Sequence, residues 1–245
     1  MPNKRIRIFA GPNGSGKSSL FEEFSKNYAT GFFVNADKIE IKLTTKGLID
    51  LQELDLKVTQ KDLDLFAKRP SSVSLIEKAL KENHPINVQI SENCVVDKSK
   101  ESHSYEASYV ASFIRHMLIE QSKSFSFETV MSHPSKISEI QELKESGYLP
   151  YLYFVCIDDP DVNVARVANR VDKGGHAVDE LKIVQRYVRT LGLLHEMLPL
   201  CHRAYLFDNS GKKQVMIAEL YKGALKLLTD TPPQWFMNYV LPYYS

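Results

Sequence analysis

Hydrophobic and polar positions change period several times along the chain, and the changes mark the elements. Ile6, Ile8 and Ala10 alternate with Arg5, Arg7 and Phe9, which predicts a short first strand at 6–10. Over 17–26 the period lengthens, and Leu20, Phe21 and Phe24 fall on one helical stripe. Further strands are expected at 31–35, at 125–127 and at 204–207. Residues 151–157 read YLYFVCI, an apolar run suited to a strand buried on both faces. Helices are predicted between the strands. At 104–121, Tyr105, Tyr109, Phe113 and Met117 recur at four-residue steps and face a core. At 135–146 the helix is opened by Pro134 and stopped by Gly147. At 179–191, Leu181, Val184, Val188 and Leu191 share one side. Strands alternating with helices predict an α/β fold with a mostly parallel sheet.

One stretch, 39–102, is too long for a plain strand-to-helix connection. Inside it, residues 74–83 read as a helix opened by a Ser74/Glu77 capping box and closed by His84 and Pro85. Ile86, Val88 and Ile90 then alternate with polar residues as a strand does. We expect an inserted, folded subdomain at 39–102 within a single domain spanning 1–245. It lacks linker composition, and His84, Glu92 and Asn93 are candidate pocket contacts for which a solvated loop is the simpler role.

The chemistry begins where the first strand ends. Gly11 to Ser18 spell G-x-x-x-x-G-K-S, preceded by a strand and followed by a helix, the context that a phosphate-binding loop needs. Gly11, Pro12, Asn13, Gly14, Ser15 and Gly16 would curl so that backbone N–H groups point inward, with Ser19 continuing into the helix. The helix N-terminus adds positive potential there. Lys17 would reach the β- and γ-phosphates of a nucleotide, and the Ser18 hydroxyl would hold Mg2+.

Composition narrows the class. The 245 residues carry 31 basic and 30 acidic side chains, a net charge of +1, which offers no footprint for a long nucleic acid. Cys94, Cys156 and Cys201 have no metal-type spacing, and the charged start runs straight into a strand. No apolar run approaches the length of a membrane span. A cytoplasmic protein with no membrane contact is expected.

In a parallel sheet, ligands gather at the carboxyl ends of the strands. The glycine-rich loop, Asp37 and Glu128 each leave a strand at that edge. Asp37 is therefore a candidate general base for an attacking hydroxyl, with a helix N-cap as its alternative role. Glu128, followed by Thr129, could orient the acceptor or hold a water of the metal, the alternative being a polar residue that closes a strand. Asp158 and Asp159 end an apolar run as a metal ligand might, but Pro160 makes this a helix start. Arg166 and Arg170 share a helix face, Gly174 and Gly175 break that helix, and Arg186 and Arg189 follow on the next. Arg170 is the candidate for neutralising charge during phosphoryl transfer, Arg189 is expected in solvent, and His176 in a turn or packing role. No guanine-reading N-K-x-D is present, and the D-x-x-G match at 172–175 does not follow a hydrophobic strand.

The segments GPNGSGKSSL, FVNADKI, FSFETVMS, GYLPYLYFVCIDDP, NRVDKGGHAV and YLFDNS, in that order, resemble the zeta-toxin family of P-loop kinases. The resemblance implies a P-loop NTPase fold like that of nucleoside-monophosphate kinases, a parallel sheet flanked by helices. It implies ATP and Mg2+ as cofactors and a small-molecule acceptor, with UDP-N-acetylglucosamine the acceptor of characterised members. It also implies an antitoxin protein as a partner. Carried over residue by residue, it gives Lys17 and Ser18 to ATP and magnesium and Asp37 to proton transfer. Glu128 and Thr129 go to the acceptor and Arg170 to a lid. Asn209 lies in the last motif and is assigned to the nucleotide. Arg186 is the choice for the second lid arginine, whose place in the family has no clear match here. The GGHAV lid and the 39–102 insertion depart from the family pattern. The alternatives are a nucleotide or nucleic-acid-end kinase and a non-catalytic ATP-binding switch.

Overall fold

The computed structural model describes residues 4–99, 104–172 and 177–244. The chain packs as two units, one formed by Met1–Thr30 with Ser126–Ser245, the other by Gly31–Phe125.

The first unit opens with β1 (Arg5–Ala10), the glycine-rich loop and α1 (Lys17–Asn27). Ile6, Ile8 and Phe9 are all buried, so the sequence alternation does not mean a half-exposed strand. Phe9 stacks on Tyr153 with ring centroids 4.9 Å apart and meets Phe21 of α1 edge-on at 5.2 Å. The Arg7 guanidinium lies over the ring of Phe24, 5.9 Å from its centroid.

The second unit follows in the chain. It comprises β2 (Phe32–Val34), α2 (Ala36–Lys46), β3 (Leu48–Asp50), α3 (Gln60–Ala67), α4 (Pro70–Lys81), β4 (Val88–Ser91), β5 (Cys94–Asp97) and α5 (Ser104–Glu120). The unit is wider than the 39–102 block, and residue 39 lies inside α2. β3, β5 and β4 form a small antiparallel sheet in that order. Glu92 and Asn93, with φ of 49° and 59°, make the two-residue turn between β4 and β5. The Asn93 side chain staples that turn to the preceding loop. Its Oδ1 accepts from the Val58 N–H at 2.9 Å, and its Nδ2 donates to the Leu56 carbonyl at 2.8 Å. Tyr109, Phe113 and Met117 of α5 are buried as their spacing predicts, with Phe66 of α3 packed on Tyr109 and Phe113 at 5.3 Å.

Two local readings need correction here. The expected helix at 74–83 starts a turn earlier, as α4, with Pro70 in its first turn. Proline supplies the fixed φ of a helix start, so the Ser74/Glu77 pair sits inside the helix and caps nothing. A capping box does occur in this unit, formed by Thr59 and Asp62 at the start of α3, a helix that was not anticipated.

The chain then returns to the first unit with β6 (Phe125–Thr129), α6 (Ser135–Glu145), β7 (Leu149–Cys156), α7 (Pro160–Val171), α8 (Glu180–Gly192), α9 (Leu194–Met197), β8 (Arg203–Asp208), β9 (Val215–Tyr221), β10 (Ala224–Leu227) and α10 (Gln234–Tyr239). Its strands run in the order β10-β9-β8-β7-β1-β6. β1, β7 and β8 are parallel, and β9 and β10 continue the sheet antiparallel. Leu152, Phe154, Val155 and Cys156 of β7 have no exposed surface, as an apolar run in a central strand requires. The β9–β10 hairpin and α10 were not read from the sequence. Among the described residues no helix is long and apolar enough to cross a membrane.

Candidate functional site

The glycine-rich loop leaves β1 and turns into α1 without a capping side chain, because Gly16 occupies the capping position at φ 105°. The first N–H groups of α1 are therefore left for a ligand. Glycine is required for two reasons at this loop. A Cβ on Gly11, at φ 144°, would run into the Val155 carbonyl of β7. A Cβ on Gly16 would stand 2.5 Å from Asn209 Nδ2. Lys17 donates from Nζ to the Pro12 carbonyl at 2.9 Å, which folds its ammonium back over the loop. Ser15 is fully buried, and its hydroxyl has no hydrogen-bond partner among the described residues.

The loop is braced from behind by two asparagines. Asn163 of α7 donates from Nδ2 to the Asn13 carbonyl at 2.6 Å. Asn209, just past β8, donates from Nδ2 to the Ser15 carbonyl at 2.7 Å. Asn209 is itself fixed: its N–H donates to the Cys156 carbonyl at 2.8 Å, and its carbonyl accepts from Arg166 Nη2 at 3.1 Å. Its neighbours are held by the end of the chain. Trp235 of α10 donates its backbone N–H to Asp158 Oδ1 at 2.7 Å and its indole N–H to Asp208 Oδ1 at 3.0 Å. Asp158 thereby serves structure, and Asp159 caps α7 by accepting from the Asp161 N–H at 2.9 Å.

In front of the loop, the Ser18 hydroxyl donates to Glu128 Oε1 at 2.9 Å. Two of the three groups expected at one sheet edge are thus joined directly, across 110 residues of sequence. Both are hard oxygen donors, the set that Mg2+ prefers. Together with the glycine cradle and Lys17, they fit a magnesium nucleotide. The Thr129 hydroxyl accepts from the Met131 N–H at 3.0 Å and so shapes the turn after β6. Met131 takes φ 58° in that turn, and the Val130 carbonyl beside it accepts from Thr190 Oγ1 at 2.8 Å.

Asp37 lies in the second unit, exposed in the first turn of α2. The cap of that helix is Asn35, whose side chain accepts from the Lys38 N–H at 2.9 Å, so the capping role considered for Asp37 is taken. The same unit holds a cavity of about 140 Å3 with Phe33, Asn35, Lys38, Ile39 and Lys42 among its walls. Arg170 is exposed in the last turn of α7. Arg186 is half-buried on α8, and Arg189 is exposed, as expected. Lys173, Gly174, Gly175 and His176, the turn between the two arginine helices, lie outside the described residues. Sequence reading missed Asn163 and Trp235 as builders of this site and named Arg166 only for sharing a helix face with Arg170. Their roles depend on contacts with distant segments, and no local spacing announces them.

Comparison with known proteins agrees with this fold. The crystal structure of AvrRxo1-ORF1 with AvrRxo1-ORF2 and sulphate ions superposes with a TM-score of 0.57 at 15% identity, covering 92% of this chain and 61% of that one. The same pair has been crystallised with ATP, and that structure superposes with a TM-score of 0.53 at 17% identity, covering 92% of this chain and 60% of that one. The structure from the PezAT chromosomal toxin-antitoxin system of Streptococcus pneumoniae gives a TM-score of 0.50 at 11% identity, covering 89% of this chain and 72% of that one. An uncharacterized protein of Haemophilus influenzae is 33% identical over 72 residues, 29% of this chain. The chain spans about half the length of that curated relative. The sequence profile described as zeta toxin matches residues 56–197, more than half of the chain. The chain belongs to the zeta toxin family.

Proposed function

We propose that this protein is an ATP-dependent phosphotransferase acting on a hydroxyl group of a small molecule. The observation that carries the reading is the glycine cradle with Lys17 folded over it and Ser18 hydrogen-bonded to Glu128. Bound ATP would supply the γ-phosphoryl group, with Mg2+ offsetting the charge of its β- and γ-oxygens. Lys17 exchanges its contact with the Pro12 carbonyl for the nucleotide's terminal phosphates. Ser18 offers its hydroxyl oxygen to the cation, and Glu128 orients that hydroxyl. Asp37 takes the proton from the acceptor hydroxyl as it attacks, the task of a positioned carboxylate. Arg170 and Arg186 approach the phosphates from α7 and α8 and stabilise the charge that builds on the equatorial oxygens. Thr129 and Glu128 face the acceptor side.

Support for ATP comes from the AvrRxo1-ORF1 relative crystallised with that nucleotide. The family resemblance supports a nucleotide sugar such as UDP-N-acetylglucosamine as the acceptor. An antitoxin protein partner is part of the proposal, drawn from the S. pneumoniae toxin-antitoxin system. A cytoplasmic location follows from the metabolites that such a reaction consumes. Incubation with ATP, Mg2+ and a panel of hydroxylated metabolites that includes UDP-N-acetylglucosamine, read by mass spectrometry, tests the reading. A singly phosphorylated member of the panel is expected. ADP formation with no phosphorylated product anywhere in the panel would point to hydrolysis or switching.

A further inference from the structure

Four strands of the first unit bring one row of side chains into register. Arg7 of β1 pairs with Tyr151 of β7, Tyr151 with Arg203 of β8, and Arg203 with Tyr221 of β9. Residues paired across neighbouring strands stand on the same face of a sheet. The next row on that face is Phe9, Tyr153, Tyr205, Glu219 and Lys226. Phe24 of α1 packs on the rings of Phe9 and Tyr153 and closes that end. Beyond it the face meets solvent: Tyr151, Arg203 and Tyr205 are half-buried and Tyr221 is 39% exposed. On the opposite face Ala204, Leu206, Ala218 and Leu220 are buried.

Tyrosine and arginine are the residues that protein interfaces concentrate at their energetic centre. Here they are already held in place. Arg203 donates from Nη1 to the Tyr205 hydroxyl at 3.3 Å, and its guanidinium lies 4.3 Å from the centroid of the Tyr221 ring. Little rotamer freedom is left to lose on docking. The face is also charged in one sense. Its strands set Arg5, Arg7, Arg203 and Lys226 on it, with Glu219 as their only acidic residue there among the described residues. The whole chain carries only +1, so this surplus is local. Tyr153 is stacked between Phe9 and Tyr205, at 4.9 Å and 5.2 Å, and Arg203 covers Tyr221. The ring faces on which nucleic-acid bases would stack are thus taken. Guanidinium N–H groups and phenol hydroxyls remain at the edges, and carboxylates match them.

We propose that this sheet face docks a partner protein through an acidic segment, whose aspartate and glutamate side chains sit on Arg7 and Arg203 between the tyrosines. The inference does not rest on the nucleotide reading.

Random peptides displayed on phage and panned on the full chain test it, with the pool that also binds Tyr221→Ala subtracted. The remaining peptides are expected to be rich in Asp and Glu. By fluorescence anisotropy, the tightest of them should lose about tenfold in affinity to Arg203→Gln and, separately, to Arg7→Gln, the scale of one hot-spot side chain. Its binding should weaken as salt is raised. Circular dichroism melting confirms that each variant is folded, and either arginine suffices if the other variant is not. An empty pool after subtraction, a pool without acidic bias, or an acidic peptide that binds the folded arginine variants like wild type would overturn the proposal. So would an oligothymidylate that binds more tightly than the peptide and is lost in the same variants, which would make this a nucleic-acid surface. A wild-type dimer in sedimentation that Arg203→Gln dissociates would give the face to a second copy and equally overturn it.

Discussion

A carboxylate in the first turn of a helix can serve the helix or the reaction, and for Asp37 the two are separable. Asn35 already caps α2, so Asp37→Asn should leave the melting temperature within a degree or two of wild type, as for a surface substitution away from such features. Phosphoryl transfer should fall by roughly two to four orders of magnitude, the usual loss with a general base. A stability loss with transfer intact would return Asp37 to a structural role. Arg170 and Arg189 allow a similar comparison, both being exposed arginines on successive helices. Arg170→Ala should lower kcat far more than ATP affinity, because its charge is needed most in the transition state. Arg189→Ala should change neither by more than about twofold, as for a solvated charge. The opposite ranking in steady-state kinetics would show that the other helix serves the phosphates. At this scale the sequence was legible where chemistry needs fixed spacing. Gly11, Gly16, Lys17 and Ser18 could be picked out because G-x-x-x-x-G-K-S is one contiguous turn. Asn163 could not, because it meets the loop only after the sheet has formed.

Elements were legible where the period of apolar residues was clean, as in β7 and α5. They were misjudged where a strong start signal lay a turn upstream, as Pro70 does for α4. The C-terminal hairpin escaped because its exposed Val215 and Met216 blur any alternation. The contact of α8 with the end of β7 is equally invisible in sequence and carries a stability prediction. The Tyr187 hydroxyl lies within hydrogen-bonding distance of the Ile157 and Asp158 carbonyls, at 2.8 Å and 2.9 Å, next to the residue that caps α7. Tyr187→Phe should cost about 1–3 kcal/mol in chemical denaturation, since the buried carbonyl of Ile157 loses its hydroxyl partner. Burial raises the Tyr187 phenol above its ordinary value of 10.0, and it raises Tyr153 to about 12. A raised phenol keeps its proton in the folded chain while the unfolded chain releases it. Stability from Tyr153 should thus be intact below about pH 10 and decline as the pH climbs through about 12, its unfolded and folded values, and Tyr187 should act in the same direction. Melting curves across that range should decline less steeply for Tyr187→Phe and Tyr153→Phe, and unchanged slopes would contradict the assignment.

At the scale of the whole molecule, the sequence reading expects a folded segment at 39–102, and the second compact unit spans Gly31–Phe125. The expected 39–102 block cuts through α2, and the compact unit takes in β2, all of α2 and α5 as well. Sequence reading stopped at residue 39 because a strand followed by a helix looks like part of the parent fold. α2 nonetheless packs on α5 and β3 within the second unit. We propose that the Gly31–Phe125 unit shapes acceptor choice and leaves nucleotide affinity alone. Lys42 lines the cavity of that unit and is paired with Glu53 at 2.6 Å on its exposed side. Lys42→Ala should change the ratio of kcat/KM between two acceptors by roughly tenfold, the scale of one altered pocket contact, with ATP affinity by calorimetry unchanged. An unaltered ratio would mean that this cavity wall takes no part in selection. The central claim, transfer of a phosphoryl group from ATP to a small-molecule hydroxyl, is tested most directly by incubating the protein with γ-labelled ATP and a metabolite extract, wild type beside Lys17→Ala. The account predicts a labelled small molecule that chases from ATP in the wild-type reaction and is lost, or reduced by roughly two to three orders of magnitude, when the lysine ammonium is removed. Label that stays in ATP or appears only as inorganic phosphate, or a labelled product formed equally well by Lys17→Ala, would contradict it.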